Sequence, residues 1–370
     1  MKRITKLFGL GLVALSLWGC GGQPQSQSGT QAEAQEAQPA AANSTTPTPS
    51  GKRPFITKWK GETDAELNIP ILGTYTLTWY NEATPNERHT AQVTVTTEMV
   101  EDLDGEEDLV EDVTPYTFET PTDGVYVVEA GPDGVDGIYF THHLDIDASK
   151  LLTVEQFGDV VWKRLDRAFY RCENMQFAKA IDTPNLSQCK SLAWMFRDCA
   201  NFNSPLTHWD VSHVTNMEEM FDHCSSFNQP LAQWNVSKVT NMEGMFWGCT
   251  AFNQPLNNWD VGRVTDMSNM FRECTVFNQP LDKWNVSQVT SMIALFYESR
   301  AFNQPLNSWD VSKVEYMGYL FYECTVFNQS LAAWNINNVR KESGMQNMFY
   351  NCPAGKLPFV EKWKAAGYEF

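Results

Sequence analysis

A 25-residue repeat in the C-terminal half constrains the fold more than any other feature. The unit is complete in VTNMEGMFWGCTAFNQPLNNWDVGR, which covers residues 239–263. A unit of this length cannot bury its apolar side alone, so neighbouring copies are expected to stack as a solenoid. Two series of aromatic residues carry the period: Trp209, Trp234, Trp259, Trp284, Trp309 and Trp334, and Phe196, Phe221, Phe246, Phe271, Phe296 and Phe321.

The spacing of apolar residues changes within each unit. Trp259 and Val261 alternate with polar residues, which predicts a short strand with both side chains directed inward. The apolar residues that follow are three and four apart, which predicts one face of a short helix or of 3₁₀ turns. They are Val264, Met267, Met270, Phe271 and Cys274. Capping boxes over 215–218 and 240–243 favour the helix. We therefore predict an α+β solenoid of leucine-rich-repeat-like coils, each with one short strand and one short helix.

Degenerate copies extend the repeats in both directions. They set the solenoid at residues 145–352 and leave residues 353–370 as a C-terminal cap. Residues 52–144 contain the runs TYTLTWYN, TAQVTVTT and GVYVVEA between turn residues. Short alternating strands of this kind predict a small all-β sandwich of immunoglobulin or PKD-like type.

An acidic loop interrupts this β-rich domain at residues 100–112. Its carboxylates, Asp102, Asp104, Glu106 and Asp108, are hard oxygen ligands of the kind that calcium prefers. Gly105 comes too early for an EF-hand loop, so a solvated acidic loop is the favoured interpretation and calcium binding the alternative.

The N-terminus indicates export. Lys2, Arg3 and Lys6 precede an apolar stretch that is shorter than the roughly 20 residues of a membrane-spanning helix, as in a signal peptide. Residues 1–19 are therefore predicted to be a lipoprotein signal peptide, and Cys20 the lipidated residue that attaches the chain to a membrane. Gly21 at the next position favours the outer membrane of the cell envelope. Residues 20–51 are rich in Gln, Ser, Ala, Thr and Pro and are predicted to be a disordered tether.

The repeat motifs VT-x-M-xx-MF-xx-C, FNQPL and W(D/N)VS resemble those of the BspA-like, mycoplasma-type leucine-rich-repeat surface lipoproteins. The resemblance covers roughly residues 145–352 and includes LLTVEQFGDVVWKRLDRAFYRCENM at the start of the repeats. It implies a surface-exposed or secreted protein that binds rather than catalyses, since some members of that family are adhesins.

Motifs for chemistry are lacking in the sequence. None of the six histidines lies in a zinc-protease or nucleophile motif, and no nucleotide-binding glycine loop occurs. We predict no catalytic residue, no cofactor and no metal, with a site built on His208, His213 and His223 as a minor alternative. The net charge of −18 argues against a nucleic-acid partner.

The cysteines of the repeats recur in one slot. That slot holds Cys199, Cys224, Cys249, Cys274, Cys324 and Cys352, with Ser299 in the remaining copy. Stacked coils would bring them within disulfide reach, but a small buried side chain explains the slot without a bond. Both possibilities stay open, with free thiols favoured.

A row of amides and carboxylates follows the tryptophan slot and is the candidate binding site. Its members are Asn185, Asp210, Asn235, Asp260, Asn285, Asp310 and Asn335, which we call the polar ladder. Alternation would separate the charges and let amides donate to carboxylates of neighbouring coils. The ladder is therefore either structural or, with His213, Lys238, Arg263 and Lys313 nearby, a recognition surface. We predict a lipid-anchored binding or adhesion module with a protein or glycan ligand; the alternative is a structural envelope or scaffold lipoprotein.

Overall fold

The computed structural model describes residues 51–101, 109–140 and 148–370, without the side chains of residues 98–101 and 109–112. The predicted signal peptide, Cys20, nearly all of the tether, the four acidic-loop ligands, His142 and His143 lie outside the described residues. The strands are β1 (Phe55–Gly61), β2 (Ala65–Ile69), β3 (Ile71–Asn81), β4 (His89–Val95), β5 (Thr97–Glu101), β6 (Leu109–Val113), β7 (Tyr116–Thr120), β8 (Gly124–Ala130), β9 (Val135–Ile138), β10 (Leu151–Gln156) and β11 (Gln176–Phe177). The α-helix is α1 (Pro358–Ala365).

The N-terminal strands form one large sheet and two small ones. In the described residues the large sheet has seven strands in the order β11-β10-β1-β8-β3-β4, with β9 beside β3. The pairs β2-β7 and β5-β6 form separate two-stranded sheets. The predicted immunoglobulin-like sandwich is therefore wrong. The alternating burial of β1 indicates a strand correctly, but it does not reveal that β10, far along the chain, is one of its two partners.

The predicted α+β solenoid with a strand and a helix in every coil is also wrong. Residues 178–352, all of which the structure describes, contain no α-helix and no strand longer than a single bridge. Each coil is instead a succession of turns. Parallel bridges 25 residues apart join neighbouring coils, through Ser191, Asn216, Asn241, Asp266, Ser291 and Tyr316.

Hydrogen bonds between coils explain why no helix forms. In one coil the backbone N–H groups of Met242 and Phe246 donate to carbonyls of the next coil, at 3.1 and 2.9 Å. Gly244 between them donates to the next coil as well, at 2.8 Å, and the alternating N–H groups of Met245 and Trp247 close turns within their own coil, at 3.3 and 3.0 Å. An α-helix needs each N–H for its own chain four residues back. Consecutive turns also bury every third or fourth side chain, so the apolar spacing alone could not separate the two structures.

Two positions in each coil have a left-handed backbone that a helix interior excludes. They are Gly244 and Gly248, with φ of 60° and 68°, in one coil, and Glu219 and His223, with φ of 47° and 58°, in the coil before it. Positive φ at the third residue is required by a type II turn. Side chains other than glycine at such positions are strained by themselves, and the stacked neighbours hold them there.

The predicted capping boxes are also wrong, because no helix begins at these residues. The hydroxyl of Thr240 donates to the carbonyl of Thr215 in the preceding coil, at 3.2 Å, and not to its own turn. The side-chain oxygen of Asn241 accepts the N–H of Glu243, at 2.9 Å. The threonine therefore connects coils, and the asparagine supports the turn.

The inward direction predicted for Trp259 and Val261 is confirmed, because their exposed fractions are 3% and 1%. The ring nitrogen of Trp259 donates to the carbonyl of Leu231 in the preceding coil, at 2.9 Å. The FNQPL motif serves the same stacking. Asn228 Oδ1 accepts the backbone N–H of Asn253 and the amide of Gln254, both at 3.0 Å. These bonds fix a single register between coils.

Residues after 352 cover the last coil. Phe359 of α1 lies against Phe349, with ring centroids 6.1 Å apart, and the hydroxyl of Tyr368 donates to the carbonyl of Ile336 at 2.7 Å. Val360 and Trp363 are buried on the same side of α1. The apolar end of the stack is thereby shielded from water.

Candidate functional site

The polar ladder is exposed at the surface, but its side chains are engaged within their own coils. Asp260 Oδ1 accepts the N–H of Gly262 at 3.1 Å, and Asn285 Oδ1 accepts that of Ser287 at 3.2 Å. The other members accept an N–H two residues later in the same way: Asn185, Asp210, Asn235, Asp310 and Asn335. Asp and Asn both form such turns. The expected amide-to-carboxylate bonds between ladder members of neighbouring coils do not occur in the described part of the chain.

Electrostatics agrees with a structural use of the ladder. Hydrogen bonds from Ser212 lower the pKa of Asp210, and those from Ser312 lower the pKa of Asp310. Of the basic residues expected beside the ladder, Lys313 donates to Gln288 Oε1 at 2.7 Å, and His213 Nδ1 lies 3.2 Å from the hydroxyl of Ser212. Whether the ladder also contacts a ligand stays a prediction.

A second surface lies on the outward side of the turns. The residue directly after each repeated phenylalanine is, in successive coils, Arg197, Asp222, Trp247, Arg272, Tyr297, Tyr322 and Tyr350, and all of these except the buried Asp222 are half-buried or exposed. We call Trp247, Arg272, Tyr297, Tyr322 and Tyr350 the turn-face row. The comparison of repeats missed it because the slot has no constant residue. Its excess of aromatic residues and arginine was the signal that could have found it.

The members of the turn-face row stack on one another along the coils. The guanidinium carbon of Arg272 lies 4.5 Å from the ring centroid of Trp247 and 4.3 Å from that of Tyr297. Tyr322 lies 4.6 Å from Tyr297 and 4.7 Å from Tyr350, ring centroid to ring centroid. Tyr350 ends the row and is 55% exposed, while the other members are half-buried. Cation–π and offset ring contacts therefore hold the row in place.

A buried charge cluster supports the start of the row. The carboxylate of Asp222 is fully buried, and its Oδ1 lies 2.5 Å from Nδ1 of His223. Arg197 Nε lies 3.2 Å from the other carboxylate oxygen, Oδ2, as an ion pair without the alignment of a hydrogen bond, and the guanidinium also donates to Glu219. The ring of His223 packs on Trp247, with centroids 5.5 Å apart. The cluster thus holds the His223 ring in place, and Trp247, the first member of the row, packs on that ring.

Burial and hydrogen bonding shift two titrations in this cluster. Burial raises the pKa of Glu219 from 4.5 to about 7, even though Arg197 opposes that change. The hydrogen bond to Asp222 raises the pKa of His223. Glu219 therefore changes charge near neutral pH, in the same cluster as the histidine on which Trp247 packs.

The model of the family described as "Mycoplasma protein of unknown function, DUF285" matches residues 163–266 and 254–363. The two overlapping matches together span more than half of the chain. The chain belongs to this family. Two matches in succession agree with a repeat protein, and the family description assigns no function. Comparisons with curated proteins and with solved structures found no match.

The repeated cysteines of this DUF285 chain are buried free thiols in the structure. Cys249 Sγ lies 3.0 Å from the carbonyl of Phe221 in the preceding coil, and Ser299 forms the corresponding bond to Phe271 at 2.5 Å. Burial raises the pKa of Cys249 well above its ordinary value, which disfavours a reactive thiolate. A serine can replace the cysteine because the slot requires a small donor.

Among the residues that the structure describes, no group of three or more His, Cys, Asp and Glu side chains could hold a metal ion. His208, His213 and His223 form no such group there. The described residues also contain no helix that is both long and apolar enough to span a membrane.

Proposed function

We propose that this DUF285 chain is a lipid-anchored surface protein that binds a protein partner through the turn-face row. One observation carries the proposal. The buried slots of successive coils hold nearly constant residues, whereas the outward slot of the row changes among Trp, Arg and Tyr. Those three residue types are the ones most enriched among the energetic centres of protein interfaces.

The row also has the rigidity that tight binding requires. Its side chains stack on one another and stand on turns that are hydrogen-bonded to both neighbouring coils. Glu273 adds polar support, since its carboxylate lies 3.2 Å from Arg272 Nε and 3.4 Å from Trp247 Nε1. A partner would therefore order few side chains on binding, which reduces the entropic penalty.

The polar ladder supports a binding role less well. Its oxygens already accept backbone N–H groups, and alternation of Asp and Asn leaves the local hydrogen bond unchanged. This favours the ladder as part of the fold and the turn-face row as the recognition surface.

Attachment to the membrane is supported by the predicted lipid on Cys20, and a binding role by the resemblance to BspA-like surface proteins. A two- or three-chain lipid anchor holds firmly because each buried methylene contributes about 0.8 kcal/mol. Replacing Cys20 with alanine should move the protein from the membrane fraction to the soluble fraction. Equal membrane retention of wild type and variant would contradict the anchor.

Capture of partners by the full chain tests the binding role. Proteins retained from native envelope extract and from host matrix extract are compared for the wild type, a row variant and a ladder variant. The row variant carries Trp247→Ala, Arg272→Ala and Tyr297→Ala; the ladder variant carries Asp210→Asn, Asp260→Asn and Asp310→Asn. We expect a partner that the wild type and ladder variant retain and the row variant loses. Retention of the same proteins by all three would contradict the proposal.

A further inference from the structure

The last coil has a backbone edge that no further coil covers. In the coil before it, the N–H groups of Tyr319, Phe321 and Glu323 donate to carbonyls of the last coil, at 2.8, 2.9 and 2.8 Å. The corresponding groups of the last coil belong to Asn347, Phe349 and Asn351. Within the described residues, none of these three N–H groups has a hydrogen-bond acceptor.

A cleft runs along this edge. It has a volume of about 420 Å³ and lies between the last coil and the cap, and Asn347, Phe349 and Asn351 all line it. That volume is within the range of about 300–1,000 Å³ typical of ligand sites. The cap thus covers the apolar end of the stack and leaves room beside the open donors.

The other lining residues define what could fit. Tyr350 ends the turn-face row in this cleft, with one ring face against Tyr322 and more than half of its surface exposed. Lys356 and Lys364 line the cap side, although the chain as a whole has a net charge of −18. Lys364 also pairs with Glu361 at 2.9 Å. Donors, a free aromatic face and two positive charges favour an occupant with acceptors, an aromatic ring and negative charge.

We propose that the cleft binds an acidic peptide segment of a partner protein, which takes the place of the next coil. Carbonyls of the segment accept the N–H groups of Asn347, Phe349 and Asn351, and an aromatic side chain stacks on Tyr350. An acidic side chain of the segment meets Lys356 and Lys364. The donation of Glu323 N–H to Tyr350 and the stacking of Tyr322 on Tyr350 show the arrangement one coil earlier.

The inference rests on the proposed function for the statement that the partner is a protein, but its site and its test are separate. The probe is a fluorescent peptide with the sequence EYMGYLFYE, residues 315–323. In the chain the carbonyls of this segment accept the N–H groups of Ala294, Phe296 and Glu298 in the coil before it, as the peptide is expected to accept those of the last coil. The segment carries Glu315 and Glu323 at its ends.

Binding of this peptide to the full chain is measured by fluorescence anisotropy. We expect saturable binding that weakens about tenfold or more with Tyr350→Ala and with the pair Lys356→Glu and Lys364→Glu. Tyr350→Phe keeps the ring and should bind like the wild type. Lys362 lies on α1, as Lys364 does, but does not line the cleft, so Lys362→Glu serves as the control for charge reversal.

Amide hydrogen exchange tests the open edge directly. The peptide should slow exchange at Asn347, Phe349 and Asn351 and leave the exchange of Tyr319 unchanged. Absence of binding, or binding that neither Tyr350→Ala nor the lysine pair weakens, would overturn the proposal. Preference for a sulfated oligosaccharide over the peptide, without slowed exchange at the three amides, would also overturn it. Peptide binding by a chain that captures no partner through the row would contradict only the proposed function.

Discussion

The rings of Tyr297 and Tyr322 are parallel to within 1°, with centroids 4.6 Å apart. This separation is close to the spacing of about 4.7–4.9 Å between hydrogen-bonded neighbouring strands. The coil spacing, set by buried residues and backbone hydrogen bonds, thus brings outward side chains into stacking contact. The turn-face row is a consequence of the coil geometry together with the residues that occupy one variable slot.

Removal of one ring should uncover its two neighbours. Tyr322→Ala leaves a face of Tyr297 and a face of Tyr350 without a partner. We expect the free energy of unfolding to fall by about 0.5–1.5 kcal/mol for each lost ring contact. Urea denaturation measures this, with Tyr322→Phe as the control that keeps both contacts. Equal losses for the two variants would show that the stacking does not stabilise the coils.

Removal of a buried tryptophan should have a larger effect. Trp259→Ala empties a large apolar site and removes the hydrogen bond to the carbonyl of Leu231. We expect a loss of roughly 3–5 kcal/mol in the free energy of unfolding. Trp259→Phe should lie between alanine and the wild type. A melting temperature of the alanine variant that equals the wild type would contradict the inward position of this side chain.

Glu219 should make stability depend on pH. Its pKa is raised from 4.5 to about 7 in the folded chain. A carboxyl with a raised folded pKa contributes stability that is complete below the unfolded pKa and is lost as pH rises through the folded value. The raised pKa of His223 acts in the same direction. The free energy of unfolding should therefore decrease by on the order of 2–3 kcal/mol between about pH 5 and pH 8.

The variant Glu219→Gln separates this effect from general charge repulsion. It keeps the rest of the acidic chain but removes the titrating group, so the decrease should become clearly smaller. The measurement is a set of urea denaturation curves over that pH range for both proteins. An identical pH dependence would assign the effect to other groups.

The polar ladder should tolerate neutralisation better than added charge. Asp210→Asn, Asp260→Asn and Asp310→Asn keep the oxygen that accepts the backbone N–H, so each is expected to lower stability by less than about 1 kcal/mol. Asn235→Asp with Asn285→Asp instead lines up five carboxylates and should destabilise most at low ionic strength. Thermal melting at low and high salt tests both. Equal melting of the five-carboxylate variant at the two salt concentrations would show that the ladder side chains do not interact.

The sequence was sufficient to identify the repeat, its period and its buried side chains. The inward positions of Trp259 and Val261 are confirmed, because alternation with polar residues reports burial directly. The predicted helix is wrong, because apolar residues three and four apart are also typical of successive turns. Glu219 and His223 have a left-handed backbone that nothing in their identity indicates. Only the glycines at the corresponding positions of one coil, Gly244 and Gly248, are residues typical of a left-handed backbone.

The candidate surfaces were predictable to different degrees. The ladder was found because its slot alternates regularly, but its bonds to Gly262 and Ser287 within single coils were not foreseen. The turn-face row was missed because repeats were compared for what they share. The pairing of β1 with β10 depends on contacts between residues far apart in the sequence, which no local pattern reports.

The dissociation constant of a captured partner tests the central claim most directly. It is measured by surface plasmon resonance for the wild type, the row variant with Trp247→Ala, Arg272→Ala and Tyr297→Ala, and the ladder variant with Asp210→Asn, Asp260→Asn and Asp310→Asn. Far-ultraviolet circular dichroism confirms that the three proteins are equally folded. Recognition through the row predicts a dissociation constant at least about tenfold higher for the row variant and an unchanged one for the ladder variant. The reverse order would contradict recognition through the row.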